Sequence, residues 1–251
     1  SLSARGGIAG GNGGFVETSS HGALAITGTP QVFARSADGL GGNWLIDPNN
    51  ITIVAGNGST KINAANPFVS TNDGASLGVD LITAALTGGA NVTVTTGTAG
   101  ANTEAGDITL NADLDYNGKG TNSLTFDAAN DIVINNKIFD SVLGGDVLNL
   151  SLLAGGNISL NNDISLGTGS TATLTASGGS ISRTAGTISA GALTLTAGGT
   201  NGSIGASGAI QTSVDSIVFS AKGTGAVNIV DADAVNVSGT AGSGNVGITT
   251  T

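Results

Sequence analysis

A short alternation of inward and outward residues recurs along the chain. In each copy, one aliphatic residue comes directly before an outward residue and one directly after it, and the outward residue is usually polar. Alternation at period two predicts a β-strand with one buried face. The copies are 50–54 (NITIV), 91–95 (NVTVT), 107–111 (DITLN), 131–135 (DIVIN), 157–161 (NISLN) and 226–230 (AVNIV).

The spacing of these copies predicts a solenoid. The first aliphatic residue recurs at steps of 23 to 26 residues, in a first row made of Ile108, Ile132, Ile158, Ile181, Ile204 and Val227. A near-constant period of this length is typical of repeat architectures in which each coil stacks on the next.

Two further aliphatic rows follow the first row within each period. The second row is Leu114, Ile138, Ile164, Ile188, Ile210 and Val235; the third is Leu124, Leu148, Leu174, Leu193 and Val218, with Val246 as its last member. Leu193 comes early, which predicts a shorter corner in that coil. We therefore predict an all-β fold: a right-handed parallel β-helix with three short strands per coil of 23–26 residues.

Paired glycines recur where the corners of the coils are expected. They stand at 144–145, 155–156, 178–179 and 198–199. Glycine adopts positive φ angles without strain, so these pairs are predicted to turn the chain at the corners.

Residues 55–106 interrupt the regular pattern and predict an excursion from the stack. Within it, residues 76–87 carry apolar residues at helical spacing, and Gly88-Gly89 follows them. We predict one short outer helix there. The chain is accordingly divided into coils at 1–54, an irregular part at 55–106 and regular coils at 107–251.

Composition narrows the classes of function. Only 10% of the residues are charged, the net charge is −10, and the seven basic residues are scattered singly. Without a basic stripe, nucleic acid is not an expected partner. The chain has no Cys and no run of 18 apolar residues, so disulfides, thiolate chemistry and a membrane helix are not expected. It lacks Met and a signal peptide, and we interpret it as part of a longer or processed protein.

Two segments near the start carry a family resemblance. Residues 11–19 (GNGGFVETS) and 43–53 (NWLIDPNNITI) closely resemble a segment of the two-partner-secretion exoproteins, the family of filamentous haemagglutinin and high-molecular-weight adhesins. Residues 86–94 (LTGGANVTV) followed by 106–108 (GDI) are similar to the same family, while Ser20 stands where that family has Gly. The motifs cover roughly residues 1–135, and the remainder is similar in its style of repeat.

The resemblance implies export across an outer membrane through a dedicated transporter, recognised by an amino-terminal domain outside this sequence. It also implies a secreted or cell-surface location. The expected partners are that transporter and a receptor or matrix glycan. End-to-end self-association is a further expectation, because the pattern stops in mid-coil near Val246.

Candidate catalytic groups are few. His21 is the only histidine and lies in a polar turn, so an exposed loop residue is expected. Asp107, Asp131 and Asn157 repeat at one position of successive coils, followed by Ser180 and Ser203. Polysaccharide-cleaving enzymes on β-helices use such acids together with a base, and no base accompanies these, so we predict a row that caps a corner.

Other candidate sites are weaker still. The Gly-rich runs lack the nonapeptide that binds calcium, and no metal or cofactor is predicted. Threonine pairs suggest an ice-binding face, but the predicted rows align Thr173 and Thr175 with Val147 and Asn149, which breaks the array. Trp44 is predicted to pack in the core.

The triplet Asn-x-Ser/Thr marks possible glycosylation sites. The resemblance implies that these triplets are candidates, because some adhesins of that family carry glycans at such triplets. The triplets begin at Asn50, Asn57, Asn91, Asn149, Asn157, Asn201 and Asn236. Asn, Ser and Thr are abundant here, so chance occurrence is the competing interpretation.

These observations favour a structural role. We expect a rigid shaft of a secreted bacterial adhesin or extracellular filament, and not an enzyme. A carbohydrate-active β-helix enzyme and the stalk of a contact-dependent toxin or haemolysin remain the alternatives.

Overall fold

A computed structural model describes residues 3–12, 14–18, 31, 34–35, 43–46, 49–63, 65–86, 89–97, 103–142 and 144–251. The described elements are almost all strands, with one short helix. In chain order they are β1 (Phe15–Thr18), β2 (Asn43–Ile46), β3 (Ile51–Val54), β4 (Ser59–Thr60), β5 (Phe68–Val69), β6 (Ala75–Gly78), α1 (Val79–Ala85), β7 (Asn91–Thr95), β8 (Ile108–Leu110), β9 (Leu114–Asp115), β10 (Thr121–Ala128), β11 (Ile132–Ile134), β12 (Ile138–Phe139), β13 (Val147–Ala154), β14 (Ile158–Leu160), β15 (Ile164–Ser165), β16 (Thr171–Ala176), β17 (Ile181–Arg183), β18 (Ile188–Ala197), β19 (Ile210–Ala221), β20 (Val227–Asp231), β21 (Asn236–Ala241) and β22 (Val246–Thr250).

The strands stack in parallel on their counterparts one coil away, so the chain forms a β-solenoid of about eight coils. The predicted parallel β-helix is confirmed. At the usual spacing of strands, eight coils span roughly 38 Å along the axis. Inward aliphatic residues from successive coils form one continuous core that runs from Ile51 to Ile229.

The first row is confirmed at every position. Its members are aligned one above the other from Ile51 through Ile108 to Val227, and Val246 continues them. The last of these steps, from Val227 to Val246, is only 19 residues.

The second row is confirmed for Leu114, Ile138, Ile164 and Ile188 and is wrong after that. Ile188 is aligned with Thr212, whereas Ile210 pairs with Ile229 of the next coil. The segment 205–209 lengthens this corner, which shifts the register by two residues. Val235 belongs to no strand and lies just before β21.

The third row is correct at Leu124 and Leu193 and wrong elsewhere. The aligned residues are Leu124, Leu150, Ala172, Leu193, Ile217 and Val237. Leu148 and Leu174 are buried but stand two residues from this row, because β13 and β16 each offer several inward positions. Val218 faces outward and is 49% exposed, and Val246 belongs to the first row.

The shorter corner expected at Leu193 is confirmed. The strand β18 runs without a break from the second row into the third, through Ile188 and Leu193. β19 does the same in the following coil.

The irregular part contains the predicted short helix within the predicted range. α1 begins at Val79, later than expected, because residues 76–78 belong to β6, which pairs in parallel with β3. One side of the helix packs on the core through Val79, Ile82 and Leu86, while Asp80 and Ala84 are exposed. Since β3 lies between β6 and β8, the chain folds back before it resumes the regular coils. Nothing in the structure tests the domain boundaries at 54 and 106, which stay a prediction.

The glycine pairs act differently from the prediction. Only Gly144 and Gly145 among them have positive φ angles, of 115° and 157°. A Cβ at Gly155 would stand 2.0 Å from the carbonyl oxygen of Ala129, and one at Gly178 would stand 2.6 Å from that of Gly155. These corners need glycine because the backbones of neighbouring coils approach too closely for a side chain.

Candidate functional surface

The predicted polar row lies at the corner before the first sheet, which contains β3, β8, β11, β14 and β17, and it forms hydrogen bonds from each coil to the next. The Asp107 carboxylate accepts from the amide of Asp131 (3.0 Å), and that of Asp131 accepts from the amide of Asn157 (2.6 Å). The Asn157 side-chain oxygen accepts from the amide of Ser180, whose hydroxyl accepts from the amide of Ser203, both at 3.0 Å. The predicted corner-capping row is confirmed, because each side chain caps the next coil.

A second polar row follows the first sheet on its other side. Asn135 donates from Nδ2 to the side-chain oxygen of Asn111, and Asn161 donates to that of Asn135, both at 2.8 Å. The hydroxyl of Thr184 donates to the side-chain oxygen of Asn161 at 2.6 Å. This ladder joins four consecutive coils through hydrogen bonds between side chains.

A third polar row lies beside the second sheet, which is formed by β9, β12, β15 and the start of β18. The Asp113 carboxylate accepts from Nδ2 of Asn136 at 3.0 Å and from the amide of Lys137 at 3.1 Å. These bonds favour the charged form and lower the pKa of the Asp113 carboxyl, with the Asn136 bond the larger cause. Lys137 also lies 3.7 Å from the Asp163 carboxylate, and the amide of Thr187 donates to Asp163.

Two buried polar groups were not identified from the sequence. Tyr116 is buried, and its hydroxyl accepts a bond from the amide of Gly167 at 3.3 Å; burial is the main reason that its pKa is raised. Asp231 is fully buried, and its carboxylate accepts from the Thr212 hydroxyl (2.6 Å) and the Val214 amide (3.3 Å). The sequence offered one signal for both residues: the alternation of inward and outward positions places Tyr116 and Asp231 on the inward side.

A hollow of about 380 Å³ lies at the corner beside Tyr116, lined by residues 144–147 and 166–169. The nearest carboxylate, of Asp146, already accepts from the amides of Gly118 and Gly120 at 2.5 Å each. This arrangement holds the corner loop in place.

A polar surface covers the outer side of the third sheet, which is formed by β7, β10, β13, β16, the second half of β18, β19 and β21; we call this surface the hydroxyl face. It has three columns of outward residues on seven coils. The columns are Asn91, Ser123, Asn149, Thr171, Ala192, Ser216 and Asn236; then Thr93, Thr125, Ser151, Thr173, Thr194, Val218 and Ser238; then Thr95, Asp127, Leu153, Thr175, Thr196, Ser220 and Thr240.

The register of this face corrects the predicted alignment of the threonines. Thr173 lies between Ser151 and Thr194, and not beside Val147. The error came from the third aliphatic row. Leu148 stands two residues before the aligned Leu150 and Leu174 two residues after the aligned Ala172, so the predicted alignment of the two strands was wrong by four residues. The face is therefore more continuous than the sequence suggested, although Asp127 and Leu153 still interrupt it.

The seven candidate glycosylation sites separate into three settings. Asn91, Asn149 and Asn236 share one column of the hydroxyl face, whereas Asn50 and Asn157 belong to the corner-capping row. Asn57 and Asn201 lie in exposed bends between strands, and the side-chain oxygen of Asn201 accepts from the Thr224 hydroxyl. Glycosylation stays a prediction for all seven.

The remaining candidates give no site in the described part of the chain. His21 lies outside the described residues, as does the side chain of Trp44. No three His, Cys, Asp or Glu side chains come together there to hold a metal ion. The described helix is too short to cross a membrane.

Comparison with protein-family models, with curated proteins and with solved structures finds no match to this chain.

Proposed function

We propose that the chain is the structural shaft of a secreted bacterial surface adhesin or extracellular filament. The observation that supports this proposal is the uninterrupted stack, in which one core joins the coils from Ile51 to Ile229. Polar rows form hydrogen bonds between the same coils along their corners. A solenoid of this kind is stabilised between neighbours, so it can be lengthened coil by coil.

The use of the polar side chains also favours a shaft over an enzyme. The row of acids that an enzyme on this scaffold would need is bonded to the backbone of the next coil. Carboxylates held in this way are oriented along the axis to join coils. The proposal therefore assigns no catalytic residue, cofactor or metal.

The family resemblance of residues 11–19 and 43–53 supplies the rest of the proposal. We assign export through an outer-membrane transporter and a location at the bacterial cell surface or in the matrix. A receptor or glycan outside the cell is the proposed partner. The low content of basic residues argues against nucleic acid.

The test is antibody labelling of the source bacterium. Antibodies against the described coils should label intact cells, and their Fab fragments should reduce attachment to host cells or matrix. Fab fragments against a cytoplasmic protein serve as the control. Labelling only after permeabilisation contradicts the surface location. Surface labelling with undiminished attachment contradicts adhesion and favours the toxin stalk.

A further inference from the structure

The hydroxyl face differs from the corners in what its polar groups contact. Side chains in the corner rows bond to the next coil, as Asn135 does to Asn111. Most hydroxyls in the second and third columns have no such partner. Those without a side-chain hydrogen bond to another described residue are Thr93, Thr95, Thr125, Ser151, Thr173, Thr175, Thr194, Thr196 and Ser238.

These free hydroxyls are not needed to hold the coils together. Thr173 and Thr194 stand one above the other on adjacent strands, yet each offers a donor and an acceptor to the outside. A surface of this kind exchanges hydrogen bonds with water and can exchange them with a polar ligand.

The charge of the face restricts the ligand. Among its 21 outward positions only Asp127 is charged, and none is Lys or Arg. An anionic polymer would meet no cation there and would approach a chain of net charge −10. A cationic partner would meet a single carboxylate. Charge complementarity therefore favours a neutral ligand.

The geometry restricts the ligand further. The same groups recur about every 4.8 Å along the axis, over a flat strip of about 29 Å, and the columns stand about 6.6 Å apart. A linear polymer of similar repeat meets an equivalent hydroxyl on each coil. Extended polysaccharides have one sugar ring at about this interval and display hydroxyls on both edges.

Other occupants fit the face less well. A stable protein interface needs a contiguous apolar centre, and the three apolar residues Leu153, Ala192 and Val218 stand in three different columns. An ice lattice needs the same threonine pair on every coil, and Asp127 and Leu153 interrupt that array.

From these observations we propose that the hydroxyl face binds a linear, neutral polysaccharide that lies along the axis of the stack. This inference rests on the adhesive function proposed above and names the chemistry of its ligand. Contacts to a single sugar are weak. A chain that spans several coils makes its later contacts within one complex, so affinity rises with the length of the polysaccharide.

The test uses matched double variants. Thr173→Val/Thr194→Val removes two stacked hydroxyls from the hydroxyl face and keeps the β-branched shape. Thr52→Val/Thr109→Val does the same on the outer side of the first sheet, where these two threonines are also stacked. Binding is measured by titration calorimetry with soluble mixed-linkage β-glucan and with cello-oligosaccharides of increasing length, and melting curves verify that both variants fold.

The parent protein should bind the β-glucan, and more tightly as the oligosaccharide lengthens. The hydroxyl-face variant should bind about tenfold more weakly, because two hydrogen bonds are lost. The control variant should bind like the parent.

Several outcomes would overturn the inference. These are no binding by the parent, equal affinities of the parent and the hydroxyl-face variant, equal losses in both variants, and binding of heparin in place of β-glucan. Inhibition of ice growth without glucan binding would assign the face to ordered water. The antibody experiment on intact cells is independent of all these results, so adhesion and glycan binding are tested separately.

Discussion

The central coils and the last described coil have the same alternation but different burial. In the third row, Ile217 is 1% exposed, whereas Val237, aligned with it in the last coil, is 39% exposed. In the first row, Val227 is fully buried and Val246 is 49% exposed. A side chain that points inward is therefore not buried by its direction alone. It is buried when a further coil stacks on its own coil, so stability in this fold depends on contacts between neighbouring coils.

The largest expected effect comes from deleting part of a coil. Removal of residues 181–203 joins Ser180 to Ile204, which keeps the first row in register. Removal of residues 181–191 instead puts Ala192, an outward residue, in the position of Ile181 and turns Leu193 outward. We expect the whole-coil deletion to fold with a melting temperature lower by several degrees, and the partial deletion to unfold completely.

Circular dichroism and thermal melting of both deletion variants provide the measurement. Equal unfolding of the two would contradict the 23-residue coil and, with it, the proposed shaft. A cooperative transition of the whole-coil variant would show that neighbouring coils exchange partners without loss of the fold.

The second prediction compares the two sides of one strand. Ile158→Asp places a carboxylate in the core between Ile132 and Ile181, where it has no partner, and should destabilise the protein by more than about 4 kcal/mol. Ser159→Asp, its outward neighbour, should change stability by less than about 0.5 kcal/mol. Urea unfolding curves of the two variants measure the difference, and equal midpoints would refute the register.

Much of the fold was predictable because the first row carries redundant signals. From Ile108 to Ile204, each aliphatic residue of that row follows a polar corner residue such as Asp131 or Asn157, which marks the start of the strand. The third row has no such marker. Because β10 and β13 are eight residues long with four inward positions each, an alignment by apolar residues alone can slip by two.

That slip explains why the hydroxyl face was missed. Its columns follow from the pairing of Thr125 with Ser151 and of Thr173 with Thr194. An error of two residues pairs Thr125 with Asn149 and Thr173 with Ala192 instead. The start of α1 was predicted three residues too early for another reason. Residues 76–78 share the helical spacing of apolar residues but pair with β3 as part of β6, and spacing alone does not show that pairing.

The third prediction tests burial by the neighbouring coil in one row. Ile217→Ala leaves a cavity between two coils and should cost about 2–5 kcal/mol. Val237→Ala, in the same row of the last described coil, should cost less than about 1 kcal/mol, because much of that side chain already contacts water. Denaturant unfolding gives both values, and a larger loss for Val237→Ala would contradict the comparison.

The fourth prediction concerns association through the last described coil. Within the 251 residues, β21 and β22 each pair with a strand on one side only. An unpaired strand edge offers backbone donors and acceptors to another strand, here one from a second copy of these 251 residues. Sedimentation velocity should show association that grows with concentration. Val246→Lys should reduce it, because a charged edge opposes strand pairing. A parent protein that stays monomeric at high concentration would count against this proposal.

The smallest expected effect is a dependence on pH in the third polar row. Hydrogen bonds from Asn136 and Lys137 lower the pKa of Asp113, so the folded protein binds a proton there less readily than the unfolded chain. This contribution to stability is present above the unfolded pKa and is lost as the pH falls through the folded pKa. Since Asp113 is exposed, solvent screens the effect to about a few tenths of a kcal/mol. Asp113→Asn should therefore lower the melting temperature slightly at pH 7 and leave it unchanged near pH 2.

Asp215→Asn, at an exposed position without a side-chain hydrogen bond, is the control and should change the melting temperature at neither pH. An equal response of the two variants at both pH values would show that the row adds no stability to the central coils.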